Sequence, residues 1–262
     1  MKTKLEEIRH TKWAGQKIFY FPVIDSTNQK AKQLGEEGCP HGTLVIAEQQ
    51  EVGRGRRGRS WECPAGAGIF MTLVLRPEIC ANNAPMMTLV AALAVSAAIT
   101  KKAGVTAEIK WPNDIVINGK KVCGILTEMS IAEGQVSYIV LGIGINAHNT
   151  DFPEEISDRA TSLYLETKAH LDRAELTEEI LEQFEHYYAV FMKTEELEGL
   201  AEEYNSRLVN RNRRVKVLDE KEPFEGRAVG ITVHGELMVD TEQGQRLVSA
   251  GEVSVRGIYG YV

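Results

Sequence analysis

Four strand-like runs follow one another between residues 108 and 145 with only turn residues separating them: Glu108 to Trp111, Ile115 to Ile117, Lys121 to Met129 and Val136 to Ile145. The breaks include Asn118-Gly119 and Ala132-Glu133-Gly134, and Asn-Gly between such runs is a strong short-range signal for a two-residue type I′ hairpin. So close a succession does not fit strict βαβ alternation. It predicts a mixed sheet with helices on one side, an α+β architecture.

The hairpin also predicts which side chains meet. A type I′ turn sets Ile117 opposite Lys120, Val116 opposite Lys121, Ile115 opposite Val122 and Asp114 opposite Cys123. Faces alternate along each strand, so one side carries Ile115, Ile117, Val122 and Gly124, and the other Asp114, Val116, Lys121 and Cys123. Asp114 and Lys121 become diagonal neighbours, about 7–8 Å apart at Cα. Taken alone, such a pair is a solvated contact worth at most about 1 kcal/mol. The rigid, partly aromatic Trp111-Pro112-Asn113 before it, where Pro112 should bend the strand, and the further cation Lys110 mark the surface as a candidate site.

Elsewhere, strand character over Lys17 to Val23 leads into a helix start at Asp25-Ser26-Thr27-Asn28, and further strands are expected at Thr43 to Gln49 and Gly68 to Leu75. A long helix is predicted from Ala84 to Lys102, ending at Gly104. The uncharged stretch Ala81 to Thr100 holds Asn, Ser and Thr and reads as a buried helix rather than a bilayer span. Apolar residues at Leu176, Ile180, Phe184, Tyr187 and Phe191 predict helix over Asp172 to Asn210. Beyond Arg211, short runs at Val215 to Leu218, Gly226 to Ile231, Glu236 to Asp240, Arg246 to Ser249 and Val253 to Gly257 describe a small β barrel, with a boundary between residues 1–208 and 209–262.

Gly53 to Arg59 reads Gly-Arg-Gly-Arg-Arg-Gly-Arg. Clustered like charges and glycines oppose a helix or buried strand, so a mobile loop is expected. Its guanidinium forks and accessible backbone N–H groups suit a polyanion. The chain nevertheless carries 37 acidic against 30 basic residues, a formal charge of −7, which favours a small anion over a nucleic acid. Cys39, Cys63, Cys80 and Cys123 form no CxxC pair and the histidines no HExxH spacing, so no protein-held metal site is predicted and reduced, cytoplasmic thiols are expected. Met1 to His10 lacks the apolar core of a secretory signal. No GxxxxGK[ST] occurs, and Gly142-Ile143-Gly144-Ile145-Asn146 departs from GxGxxG, so nucleotide would bind without a P-loop or dinucleotide fold.

Asp25-Ser26-Thr27-Asn28, Gln50 with the arginine loop and Trp61, Lys110-Trp111-Pro112-Asn113-Asp114, Lys121 with Gly124-Ile125-Leu126 and Glu128, and Gly142 to Asn146 occur in that order. Together they resemble the bacterial biotin protein ligases over nearly the whole chain. The resemblance implies a class II aminoacyl-tRNA-synthetase-like catalytic domain, shared by biotin and lipoate ligases, with an SH3-like C-terminal barrel. It implies that biotin and ATP, with Mg²⁺, give biotinyl-5′-AMP and pyrophosphate, and that a lysine of a biotin carboxyl carrier protein of acetyl-CoA carboxylase then takes the biotinyl group. By position, Ser26, Thr27, Asn28 and Gln50 would hold biotin. Arg54, Gly55 and Arg56 would close over biotin and adenylate, and Lys121 would contact the biotin carboxylate and α-phosphate. Arg54, Arg56, Arg57, Trp61, Lys121 and Asn146 would meet the nucleotide, and Asp114 would handle the acceptor lysine.

Cys63 stands before Pro64 where many relatives have a small hydroxyl residue. Too few residues precede Asp25 for a winged helix-turn-helix, so a monofunctional ligase acting without DNA or membrane is expected. Strand edges near Ile143 would permit a homodimer. A lipoate or other small-acid ligase and, less well matched, a nucleic-acid-binding module are the alternative readings.

Overall fold

The computed structural model describes residues 1–5, 10–58, 61, 64–219, 222–250, 254–257 and 260–262, except the side chains of Thr3, Arg57 and Ser254. After a short α1 (Lys2–Leu5), seven strands form one mixed sheet: β1 (Ile18–Ile24), β2 (Thr43–Gln50), β3 (Gly68–Leu75), β4 (Glu108–Lys110), β5 (Asp114–Ile117), β6 (Lys120–Ala132) and β7 (Gln135–Asn146). Their spatial order is β1-β2-β3-β7-β6-β5-β4. Only β1 and β2 run parallel, joined through α2 (Thr27–Glu36). The other pairs are antiparallel, as their short connections require.

Alternation along the strands separates two faces. Leu44, Ile46, Ile69, Met71, Leu73, Ile139, Leu141, Ile143 and Ile145 point into the main core with α3 (Met87–Ala103). After α4 (Leu163–Thr167), α5 (Arg173–Phe191) adds Leu176, Ile180, Phe184, Tyr187 and Phe191 to that core. Each such Leu or Ile contributes about 1.5–3 kcal/mol over an exposed one, so this face anchors the sheet. Ala84–Ala103 is long and apolar enough to cross a membrane, but it is mostly buried in this core. Its helix ends at Gly104, whose φ of 68° supplies a left-handed cap.

Val45, Val74, Tyr138 and Val140 point the other way and pack against Ala31 and Leu34 of α2. Helices therefore flank both faces, not one as the sequence suggested. Because α2 packs chiefly over β2, β3 and β7 and reaches β6 only through side chains such as Asn28 and Lys32, the neighbouring part of that face is left for a site. The expected helix over Asp172 to Asn210 is also interrupted. Asp172 caps α5 by accepting from the N–H groups of Ala174 and Glu175, but Glu195 (φ 56°) and Gly199 (φ 79°) bend the chain before α6 (Ala201–Arg207).

A second, antiparallel sheet contains β8 (Arg214–Leu218), β9 (Phe224–Ile231), β10 (Leu237–Thr241), β11 (Gly244–Val248) and β12 (Ser254–Gly257), in the order β11-β10-β9-β8-β12. It is fastened to the first unit by buried hydrogen bonds. The Trp111 indole N–H donates to the Gly235 carbonyl at 3.0 Å, and the Val209 N–H to Ile109 at 2.9 Å. The Trp111-Pro112 peptide is cis. Ile143 lies in β7, paired on both sides, so the edge expected there does not exist; the edges of the large sheet are β1 and β4.

Candidate active site

The hairpin turn has the predicted form, with Asn118 at φ 50° and Gly119 at φ 77°. Val116 pairs with Lys121 and Ile117 with Lys120, but a bulge then sets Ile115 opposite Cys123 and Asp114 opposite Gly124. The physical reason is that Val122 and Cys123, consecutive in sequence, are both buried in the main core, which regular alternation forbids. The shifted register aligns Lys110, Asp114, Gly124, Gly144 and Phe70 across four neighbouring pairings.

Asp114 and Lys121 nevertheless meet, with Nζ 2.5 Å from Oδ1. The Tyr261 hydroxyl donates to Oδ2 at 2.5 Å, and Lys110 Nζ stands 4.2 Å from the Tyr261 ring centroid. Burial pushes the Asp114 carboxyl up, but the charges of Lys121 and Lys110 and the hydrogen bonds from Lys121 and Tyr261 outweigh it, leaving it below the usual range. Lys121 is fixed through its backbone: its N–H donates to Arg159, and its carbonyl accepts from Thr161. Its ammonium lies 5.1 Å from the Trp61 ring centroid.

Ser26, Thr27, Asn28, Gln50, Arg54, Gly55, Arg56 and Lys121 line one narrow pocket beside the open end of α2. Ser26 stands at the helix N-cap, but its side chain makes no capping bond. Gln50 Oε1 takes that part, accepting from the Thr27 N–H at 2.8 Å and its hydroxyl at 2.9 Å. Asn28 accepts from the Thr72 hydroxyl and donates to Glu128, which also pairs with Lys32. Burial raises the Glu128 carboxyl, but the bonds from Lys32 and Asn28 bring it below its ordinary value. The floor is glycine: a Cβ on Gly142 would lie 2.1 Å from Asn28 Oδ1, and one on Gly144 3.1 Å from Trp61.

The pocket adjoins a cleft of about 780 Å³ lined by Gly55, Arg56, Trp61, Lys121 and Asn146, with Asp114 and Lys110. Arg56 donates to Asn113 Oδ1 at 3.0 Å and to the Ala250 carbonyl at 3.2 Å. Asn146 donates to the Thr161 carbonyl at 3.0 Å. Arg54 borders the narrow pocket and does not line the cleft. Arg56–Gly58 form a single 3₁₀ turn in the arginine loop. Arg59, Cys63 and the Arg57 side chain lie outside the described residues. Sequence reasoning missed the wall formed by His148 to Pro153, together with Thr72, Arg256 and Tyr261; none belongs to a motif, and their proximity arises only in the fold.

A narrow pocket that meets a larger cleft at two shared cations, on a mixed sheet followed by a small antiparallel unit, is the arrangement of an acid-activating ligase. Residues 20–146 match the Biotin/lipoate A/B protein ligase family, and residues 212–256 match the Biotin protein ligase C terminal domain. The chain is 40% identical to the bifunctional ligase/repressor BirA of Bacillus spizizenii over 249 residues, 94% of this chain and 76% of that protein. It is 33% identical to the biotin--[acetyl-CoA-carboxylase] ligase of Mycobacterium tuberculosis, over 81% of this chain and 78% of that one. The biotin protein ligase from Aquifex aeolicus, solved with biotin and ATP, superposes with a TM-score of 0.80 at 30% identity, covering 92% of this chain and 99% of the other. The chain belongs to the biotin protein ligase family and is an ATP-dependent biotin--protein ligase.

Proposed function

We propose that the narrow pocket holds biotin with its carboxylate toward Lys121 and Arg56, and that MgATP occupies the cleft. The observation that carries this reading is that both cations border both spaces. Biotin's carboxylate is ionised at neutral pH, so its attack needs no enzyme base. A carboxylate oxygen bonds to the α-phosphorus, the bond to the β-phosphate bridge breaks, and pyrophosphate leaves with that electron pair. Lys121 and Arg56 reduce the repulsion between two anions and stabilise charge on the phosphorus as it becomes five-coordinate. Mg²⁺ bound to the nucleotide would offset charge on the departing pyrophosphate.

In the second half-reaction the acceptor is a lysine of a biotin carboxyl carrier protein, mostly protonated in water. Asp114 accepts one proton from its ammonium. The amine adds to the biotinyl carbonyl, the bond to AMP breaks, AMP leaves with the electron pair, and the second proton passes to solvent. Movement of Lys121 toward the new phosphate would relieve Asp114 of the nearest charge that depresses its basicity. We place this chemistry in the cytoplasm, with neither DNA nor membrane as a partner.

Pyrophosphate exchange into ATP tests the reading. It should depend on biotin and be absent with lipoate. Exchange supported equally by lipoate would replace biotin with a broader acid class, and exchange with neither would refute the assignment of the pocket.

A further inference from the structure

The Asp114 carboxylate is held at both oxygens, by Lys121 at Oδ1 and by the Tyr261 hydroxyl at Oδ2. Tyr261 is well seated. Lys110 lies over its ring, and the adjoining Val262 fits against Gly257, where a Cβ would fall 1.9 Å from the Val262 carbonyl oxygen. Val262 also reaches the hairpin turn, within 3.2 Å of where a Gly119 Cβ would be. The two holds have different fates during the reaction. Lys121 borders both the pocket and the cleft and is the cation drawn to the developing adenylate, whereas Tyr261 borders the cleft alone. Asp114 is only 9% exposed, so a carboxylate abandoned by Lys121 has little water to orient it.

We propose that Tyr261 is a positioning residue that keeps Asp114 aimed at the acceptor amine after Lys121 has turned to the adenylate. This rests on the ligase reading above, and it assigns the second unit of the chain a part in transfer. The hydroxyl fixes one carboxylate oxygen and leaves the other, vacated by Lys121, to receive the proton. A hydrogen bond to a charged group favours the charged form, so the same contact lowers the pH at which Asp114 can act. Among the described residues, the other titratable groups facing Asp114 are Lys121 and Cys123 on β6, Lys110 on β4 and Tyr204 on α6, and all remain in a Tyr261 variant.

The full chain, loaded with preformed biotinyl-5′-AMP, is mixed in single turnover either with an unmodified biotin carboxyl carrier domain or with hydroxylamine, a nucleophile that is already neutral at pH 7. Tyr261→Phe should slow transfer to the carrier lysine about tenfold more than it slows pyrophosphate exchange, the scale of one charge-assisted hydrogen bond. The acid limb of lysine transfer should move to higher pH, and transfer to hydroxylamine should change less than twofold. Tyr261→Leu should match Tyr261→Phe, since the hydroxyl does the positioning. Lysine transfer as fast as or faster than wild type in Tyr261→Phe would overturn the proposal, as would equal slowing of both nucleophiles or of both half-reactions. Wild-type protein lacking biotin-dependent exchange would instead refute the ligase reading.

Discussion

Gly142→Ala isolates the demand that the pocket floor makes on the sequence. Gly142 does not occupy the left-handed region of backbone space, so alanine is conformationally acceptable and the effect must come from contact. The added methyl would fall 2.1 Å from Asn28 Oδ1 and 2.9 Å from its Cγ, far inside van der Waals distance. Asn28 must rotate away, losing its bonds to the Thr72 hydroxyl at 2.7 Å and to Glu128 at 2.9 Å. A neutral hydrogen bond is worth about 1 kcal/mol and one to a charged group about 1.5–3 kcal/mol, while the stiffer unfolded chain returns about 0.4–1 kcal/mol. The expected net loss is about 2 kcal/mol of stability, with biotin affinity about 10–100-fold weaker by titration calorimetry. Gly144→Ala and Gly124→Ala are the controls: their nearest contacts are 3.0–3.1 Å, to the Trp61 ring and the flexible end of Lys121. Biotin affinity in Gly142→Ala within twofold of wild type, or a greater loss in Gly144→Ala, would refute the steric argument.

Asp114→Asn should reduce transfer to the carrier more than pyrophosphate exchange, measured as separate half-reactions. Because the folded Asp114 carboxyl lies below its ordinary value, its stabilising contribution is complete above the unfolded pKa of about 3.9 and disappears as pH falls through the folded value. Denaturant titrations should therefore show a wild-type advantage over Asp114→Asn that is constant above about pH 5 and shrinks below about pH 4. Trp111→Phe leaves the Gly235 carbonyl without its indole donor and opens space in the core, so the urea midpoint should fall by the equivalent of about 2–4 kcal/mol. An unchanged midpoint would show that the indole N–H does not fasten the two units.

The parts of this molecule that could be read in advance are those governed by local chemistry. Asn118-Gly119 dictates its own turn, Asp172 its own helix cap, and the run Gly68–Leu75 its own strand, because the deciding interactions lie within a few residues. The bulge beside Lys121 could not be read from the turn alone. It arises because the core takes both Val122 and Cys123, a demand made by helices and strands distant in sequence. The site divides in the same way. Lys121 and Asp114 were visible as cross-strand neighbours, whereas Gln50 as the partner of Thr27, and Tyr261 as the partner of Asp114, are separated from them by 23 and 147 residues. No periodicity encodes such meetings.

Strand β7 shows how one sequence serves both core and pocket. Ile139, Leu141, Ile143 and Ile145 keep one face apolar throughout, while the other passes from Tyr138 and Val140 beneath α2 to Gly142, Gly144 and Asn146 at the pocket. Replacing valine-sized surface with hydrogen at two positions forgoes about 1.5–3 kcal/mol each, beyond the conformational cost of glycine. The continuous core on the opposite face makes that loss tolerable, and it leaves apolar surface that a bound ring can complete. Biotin should therefore stabilise the folded chain by about 2.7 kcal/mol at a hundred times its dissociation constant, seen as a rise in melting temperature. In Gly142→Ala the same biotin concentration should produce a much smaller rise, since the methyl group and the displaced Asn28 would occupy the space proposed for biotin. Equal shifts in both proteins would mean that biotin does not rest on this floor.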